Sequence, residues 1–392
     1  MSEQQPIAIA AVSELKPGRY PEFDEHEIYR QVLRRFLAEW PVKPADINGL
    51  LAAPAGMASG GGADIFIHEH LCEELGIQPP FADTMNAGGS TYGLMVQRAA
   101  AAIRAGLTDS VLCIGAGTFP NVGSGGAEAS ARMAGHQDFD ALYGIFIPPL
   151  YAQAATRHMH EFGTTKEQMA KVAVASRQWA MRHPEALMRP KGEISVQDVL
   201  DSKPIASPFN LLDCSVPCDG GAALLVCDQY VAQRVCPRAA WLLGFGEAHT
   251  HSNISQSRDL INMGGKTAGD AAYRMANITP SEIDVFELYD SFSFNPLLNV
   301  ENLGVVPPGK GGEFWDEMRG APGGDTPVNT YGGLLSFGHT GDASGLSMIV
   351  EATRQIMGMA GERQVADVET ALVHSYGGMM SEHSVLILGD RA

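Results

Sequence analysis

No stretch of about 18 apolar residues occurs in this 392-residue chain, so it lacks the run that a membrane-crossing helix requires. Its first residues, Met-Ser-Glu-Gln-Gln-Pro, have neither the basic nor the apolar region of a secretory leader, and a cytoplasmic location is expected. Positive charge is scarce too: 27 Lys and Arg stand against 45 Asp and Glu, a formal net charge of −18. A nucleic-acid backbone is held by clustered Lys and Arg, so a general nucleic-acid binder is excluded, and any anionic substrate must find positive groups locally. Cysteine is sparse. Cys72, Cys113, Cys214, Cys218, Cys227 and Cys236 make no disulfide framework in a chain of this length and are expected to be reduced. Cys214 and Cys218 are spaced C-x3-C near Cys227, but no second close pair or histidine completes a tetrahedral site, and no residue is assigned to a metal.

What is present is apolar: 45% of residues are hydrophobic, enough for a large core divided between two or three structural units. Residues 6–13 form a short apolar run, and residues 26–40 carry Ile28, Val32, Leu33, Phe36 and Leu37 at helical spacing. Residues 47–53 read as a strand and 65–75 as a helix. Residues 82–90 lead through Gly88-Gly89 into a helix over 91–105, and 110–115 reads as a buried strand. Such alternation predicts an α/β fold around a largely buried sheet.

The plan recurs. A helix over 90–106 followed by the run 110–117 matches a helix over 342–358 followed by the run 370–378, and each pair ends in glycines. Apolar strands over 222–228 and 383–390 complete the two units, as an internal duplication would. Residues 119–210 differ in texture, with Gly and Ser near 123–126, helical stretches, and the basic Arg189-Pro-Lys191. They are expected to be an insertion capping the site, whose Lys and Arg would hold a phosphorylated carrier; a solvated helical surface is the alternative. The expected division is 1–118 with 211–236, the insertion 119–210, and 237–392.

Chemistry concentrates in Asn329-Thr-Tyr-Gly-Gly-Leu-Leu-Ser-Phe-Gly338-His339-Thr-Gly-Asp-Ala-Ser-Gly345, where glycines allow close backbone approach around a residue that exchanges protons near neutral pH. This stretch resembles the Asn-x-x-Gly-Gly…Gly-His-Pro-x-Gly-x-Ser-Gly signature of the thiolase superfamily, with Thr340 where proline is usual and Asp342 where glycine is. Pro208-Phe-Asn-Leu-Leu-Asp-Cys214-Ser-Val-Pro-Cys218-Asp-Gly-Gly-Ala-Ala223 is similar to a segment of its sterol-carrier-protein class. The resemblance implies a five-layer αβαβα core of two duplicated halves with an inserted loop domain, a homodimer, and a coenzyme A thioester as substrate, with no tightly bound cofactor.

The family's sulfur is missing. Thr84-Met-Asn-Ala-Gly88-Gly89-Ser90-Thr-Tyr-Gly93 places Gly89 or Ser90 where the nucleophilic cysteine belongs, and Ala371-Leu-Val-His374-Ser375-Tyr-Gly377-Gly378 carries Ser375 or His374 where the second cysteine belongs. Ser90 would need an adjacent base to act as nucleophile, and as an N-cap of the following helix it has a simpler role. In Phe286-Glu-Leu-Tyr289-Asp-Ser-Phe292, Tyr289 takes a position that faces the thioester oxygen in the family, where a phenol can donate to an oxyanion or carry a proton. A tyrosine here resembles thiolase-like aldolases that cleave steroid side chains as coenzyme A esters and also lack the cysteine; this chain, unlike them, keeps its Gly-His histidine.

Three activities follow. One is carbon–carbon bond cleavage or formation in an acyl-CoA by aldol chemistry, with His339 and Tyr289 as base and oxyanion donor in either order. Backbone N–H groups of Gly88, Gly89, Gly377 and Gly378 would assist, and Gly338 would flank the thioester. The second is an acetyl-CoA acetyltransferase-like reaction through Ser90 or another nucleophile. The third is a non-catalytic acyl-CoA-binding subunit. Relatives of these classes also imply a small OB-fold, zinc-ribbon companion. Met57, Met133 and residues 119–139 are expected to line the acyl pocket.

Overall fold

The computed structural model describes residues 5–55, 63–119, 135–140 and 146–392. The chain opens with β1 (Ile7–Glu14), α1 (Glu25–Glu39), β2 (Gly49–Ala52), α2 (Ile67–Leu75), β3 (Phe81–Thr84), α3 (Thr91–Arg104) and β4 (Ser110–Gly117). A mainly helical stretch follows: α4 (Ile147–Phe162), α5 (Lys166–Met181), α6 (Val196–Asp201), and the ribbon of β5 (Pro204–Ala206) and β6 (Phe209–Asn210). Next come β7 (Gly220–Asp228), α7 (Gln229–Val235), β8 (Ala240–His249), α8 (Gly265–Ala276), β9 (Val285–Leu288) and α9 (Phe294–Asn302). The chain ends with α10 (Gly311–Asp316), α11 (Ser344–Met357), β10 (Thr370–Gly377) and β11 (Glu382–Gly389).

The strands hydrogen-bond in the order β3-β2-β4-β7-β1-β8-β11-β10-β9. In the first half β2 is parallel to β4, while β4 with β7 and β7 with β1 are antiparallel. In the second half β9 is parallel to β10, while β10 with β11 and β11 with β8 are antiparallel. The halves therefore repeat strand for strand, and they join where β1 meets β8 antiparallel. Even β3 has a counterpart, because Val328 bridges Phe286 of β9 in the parallel sense.

Strand alternation builds the layers. Leu112 and Ile114 of β4 pack outward with Ile28, Tyr29, Val32, Leu33 and Phe36 of α1, whereas Val111 and Cys113 pack inward with α3. α3 and α11 lie side by side between the two halves, and α8 covers the far face. This is the five-layer αβαβα arrangement that the sequence implied. Asp24 caps α1 by accepting from the Glu27 amide, and Glu25 and Glu27 place negative charge at its positive pole.

Helix α5 is packed rather than solvated: Met169, Ala170, Val172, Ala173 and Trp179 are buried on it. Its Arg177 is buried, donating to Ser336 Oγ and Gly192 O, and Lys171 pairs with Asp316, so these two cations are engaged within the protein. Among the described residues no helix is long and apolar enough to cross a membrane. Met57, Met133 and residues 120–134 lie outside the described residues.

Candidate active site

Two segments distant in sequence are splinted together by a third. The stretch 214–218 donates from Ser215 N to Ser291 O (2.9 Å) and from Val216 N to Leu334 O (3.1 Å). His339 N donates to Val216 O (2.8 Å), and Cys218 N donates to His339 O (3.0 Å). One segment, bridged at Cys214 to Phe292 and at Pro217 to His339, thus aligns the chain after Tyr289 with the glycine-rich loop that carries His339. Asn329 reinforces the alignment by holding Leu288 at both backbone groups, accepting from its N–H (2.7 Å) and donating to its carbonyl (2.8 Å). Asp290, fully buried, accepts from Leu334 N at 2.7 Å and Leu335 N at 3.4 Å, pinning the turn Gly333–Phe337. Gly333 sits there at φ +62°, with no room for a Cβ beside the Asp290 carboxylate.

The splint brings Tyr289 Oη to 3.0 Å from His339 Nε2, with the rings edge-on at 80°. On the other side the Tyr289 ring lies against Gly89: a Cβ built on Gly89 would fall 2.6 Å from Tyr289 Cε2 and Cζ and 2.6 Å from Tyr376 O. The place where a nucleophile's side chain would start is therefore filled by the phenol. Tyr376 packs on Tyr289 with centroids 4.9 Å apart and donates its hydroxyl to Tyr289 O at 3.2 Å. Gly88 and Gly377 are also in close approach, since a Cβ on Gly88 would lie 2.9 Å from Gly377 Cα and 3.0 Å from Gly378 N. Gly88, Gly89, Tyr289, His339, Gly377 and Gly378 thus form one cluster, and Gly338, next to His339, packs on Cys218. The N-termini of α3 and α11 both point into this region, with Gly345 against Gly89 O, and their positive poles favour a developing anion.

Desolvation sets the electrostatics. Burial lowers the His339 imidazole to about 4, so it is neutral at neutral pH and able to accept a proton. Phe119 contributes to that surrounding, its ring 5.4 Å from the imidazole. Both backbone groups of Phe119 are clamped: its N–H donates to Asp219 Oδ1 (2.9 Å) and its carbonyl accepts from Arg19 Nη1 (2.6 Å), while Arg19 and Asp219 pair at 3.3 Å. The departure at Thr340 has a visible consequence, because its N–H donates to Ser344 Oγ at 2.8 Å, a bond that proline cannot make.

Other expected groups stand elsewhere. Ser90, fully buried, turns its hydroxyl to Ala87 O at 2.7 Å and makes no side-chain cap; Thr91 Oγ1 accepts from Ala87 N instead. Ser375 points toward α3, where a Cβ on Gly93 would meet it at 3.3 Å, and its hydroxyl has no hydrogen-bond partner among the described residues. His374 donates to or accepts from His383 at 3.0 Å on the side of α8. Cys218 is next to Gly338, but burial and the Asp219 charge raise its thiol to about 12 against the opposing His339 hydrogen bond and Arg19 charge, and burial likewise raises Cys214 to about 12 and Cys113 upward. None of these thiols is poised as a thiolate. Tyr376, Asp290 and the Arg19–Asp219 clamp were not singled out from sequence; adjacency of Asp290 to Tyr289 and of Tyr376 to the Gly377-Gly378 pair was the available signal.

Known proteins frame this geometry. Residues 8–189 match the family model described as "Thiolase, N-terminal domain", and residues 246–390 match "Thiolase C-terminal domain-like". The chain is 31% identical over 378 residues to "Acetyl-CoA acetyltransferase" of Methanothermobacter thermautotrophicus, covering 95% of this chain and 96% of that protein. It is 28% identical to "Benzoylsuccinyl-CoA thiolase subunit BbsB" of Thauera aromatica, covering 96% of each. A solved structure titled "Ltp2-ChsH2(DUF35) aldolase" superimposes with a TM-score of 0.84 at 26% identity, covering 98% of both chains.

Proposed function

The chain belongs to the thiolase superfamily, and from that premise we propose that it breaks or forms a carbon–carbon bond in an acyl-CoA thioester by aldol chemistry, with no cysteine acyl-enzyme. The observation that carries this reading is the Tyr289 ring filling the space beside Gly89 while its hydroxyl meets His339 Nε2 at 3.0 Å. The names of the Methanothermobacter and Thauera relatives refer to CoA thioesters, which supports the substrate class, and the aldolase title of the structural neighbour supports the reaction type.

In the cleavage direction, the β-hydroxyl of the substrate gives its proton to Tyr289 Oη as Tyr289 passes its own proton to His339 Nε2. The Cβ–O electrons become a carbonyl, and the Cα–Cβ pair moves to Cα and onto the thioester oxygen as an enolate. Backbone N–H groups of Gly89, Gly377 and Gly378 and the two helix N-termini would stabilise that charge, whereas the Gly88 N–H already donates to Asn86 Oδ1 at 2.8 Å. Return of the proton to Cα completes the step, so the site needs only a proton relay and an oxyanion pocket. Residues 119–210 would cover the carrier, whose phosphates would meet the remaining Arg and Lys of that region, including Arg189 and Lys191.

An acetyltransferase reading is favoured by the name of the archaeal relative, but it needs a nucleophile, and Ser90 Oγ is committed to Ala87 O at 2.7 Å. Product analysis separates the two. A β-hydroxyacyl-CoA should yield a free aldehyde or ketone and a shorter acyl-CoA, without added coenzyme A. Cleavage of a 3-ketoacyl-CoA that depends on coenzyme A and yields two acyl-CoA products would support the transferase and defeat the proposal.

The neighbour's title couples Ltp2 with ChsH2(DUF35), and we extend this to a companion protein of OB-fold, zinc-ribbon type for this chain. A homodimer is also part of the reading, since β3 stands at the edge of the sheet with one strand neighbour. The cysteines Cys72, Cys113, Cys214, Cys218, Cys227 and Cys236 are all free, which is compatible with a reducing, cytoplasmic setting.

A further inference from the structure

Three ligand-type side chains converge on the outer side of the first half, on elements whose residues do not enter the Tyr289–His339 cluster. His26 lies at the start of α1, His70 in the first turns of α2, and Asp64 just ahead of α2. Asp64 Oδ2 is 2.7 Å from His70 Nδ1 and 3.6 Å from His26 Nε2, and all three ligand atoms lie within 4.8 Å of one another. Among the described residues this is the one cluster of three or more His, Cys, Asp or Glu side chains with ligand atoms so close.

The carboxylate is oriented before any ion arrives. Asp64 Oδ1 accepts from Phe66 N at 2.9 Å, and Asp64 N donates to Ala55 O at 2.7 Å, leaving Oδ2 turned toward the two imidazoles. The two rings are tilted at 58° with centroids 5.6 Å apart, so they do not stack flat on each other.

A tetrahedral ion bound by nitrogen and oxygen at about 2.0–2.2 Å separates its ligand atoms by roughly 3.3 Å. The observed 2.7 and 3.6 Å fall on either side of that value, and His70, with 53% of its side chain exposed, can rotate to make up the difference. Two imidazoles with one carboxylate are a donor set for borderline first-row ions, and they leave at least one coordination position for water. Magnesium and calcium, which prefer all-oxygen shells, are excluded by the same donors.

We infer that His26, Asp64 and His70 form a binding site for a first-row divalent cation of the Zn2+ type, tying the start of α1 to the start of α2. The site is independent of the acyl-CoA reading, because none of its ligands contacts Tyr289 or His339 through the hydrogen bonds and ring contacts described above. Its alternative is an ion-free hydrogen-bonded His–Asp–His array.

The test uses the full chain, freed of metal by chelation, with Zn2+ followed by calorimetry and Co2+ followed by visible absorption. The inference expects one ion per chain, visible ligand-field bands without a thiolate charge-transfer band, and affinity at least about tenfold weaker in both Asp64→Asn and His70→Ala. His26→Gln guards against a folding artefact in either variant and should weaken binding similarly. Absence of binding, affinity unchanged in the three variants, or a thiolate band marking the cysteines as ligands would each overturn it.

Discussion

Gly89 and Tyr289 compete for one volume: the phenol ring lies where residue 89 would carry its first side-chain atom, at 2.6 Å from an ideal Cβ. A side chain at 89 and a tyrosine at 289 in this pose are mutually exclusive. Gly89→Ala should therefore displace the ring from His339, destabilise the protein by about 1–3 kcal/mol through overpacking, and reduce kcat by roughly 100-fold or more. Gly89→Cys should do the same without gaining transferase activity. Melting curves and steady-state kinetics check both; a Gly89→Ala enzyme with native stability and rate would show that the volume is not shared.

Removing either partner of the Tyr289–His339 contact tests the relay. Tyr289→Phe and His339→Gln should each lower kcat by about 10²–10⁴ with little change in KM, because each loses a proton-transfer group while the carrier's binding surface remains. The double variant should be little worse than the weaker single one. Additive losses would mean that the two side chains act independently.

Acid sensitivity follows from the burial of His339. Its folded pKa, about 4, lies below the ordinary 6.5, so between these values the unfolded chain binds more protons than the folded one. The contribution of the neutral imidazole to stability is present above 6.5 and is lost as pH falls through about 4. Melting temperature measured across that window should fall less steeply in His339→Gln than in the parent chain. The acid limb of kcat/KM should likewise sit near 4 instead of 6.5.

The Arg19–Asp219 clamp acts on His339 through Phe119, which it fixes at both backbone groups. Asp219→Ala should release the Phe119 ring, admit water to the imidazole, and move the acid limb of kcat/KM upward toward 6.5. Arg19→Ala should shift it in the same direction by a smaller amount. An unmoved limb with lowered stability would reduce the clamp to a structural role.

Asp290 gives a prediction of opposite sign. Burial, against the opposing amide bonds of Leu334 and Leu335, raises its carboxyl from 3.8 to about 8, so it is mostly protonated at neutral pH. A raised acid contributes stability that is complete below 3.8 and disappears as pH rises through about 8. Asp290→Asn should therefore lose less stability than the parent chain as pH rises from 3.8 to about 8, and no further difference should develop above that window. Asp290→Ala should cost about 1–3 kcal/mol, because the Leu334 amide loses its acceptor.

Much of this architecture was legible from periodicity. The duplicated helix-and-strand units reappear as α3 with β4 and α11 with β10, and the late strands of each unit reappear as β7 and β11. The Gly-His loop was legible through its glycines, and the loss of both cysteines through their motifs. What sequence could not convey is where side chains meet across the chain. Residues 89 and 289 share a volume only because two halves fold together, and Ser375 and Tyr376, adjacent on one strand, necessarily face opposite sides. The splint 214–218 was read as a motif, whereas its role in aligning Ser291, Leu334 and His339 depends on backbone hydrogen bonds that leave no trace in residue type. Arg177 looked like an available cation and is buried on Ser336 and Gly192, since helix α5 packs on the active-site loop.

The most direct test of the central claim is intact mass of the enzyme quenched during turnover of an acyl-CoA substrate, with hydroxylamine added to a parallel sample. Aldol chemistry through Tyr289 and His339 predicts product formation from protein of unmodified mass and no hydroxamate. A stoichiometric acyl adduct on Ser90, Cys218 or any other side chain, formed and discharged at the rate of turnover, would contradict it.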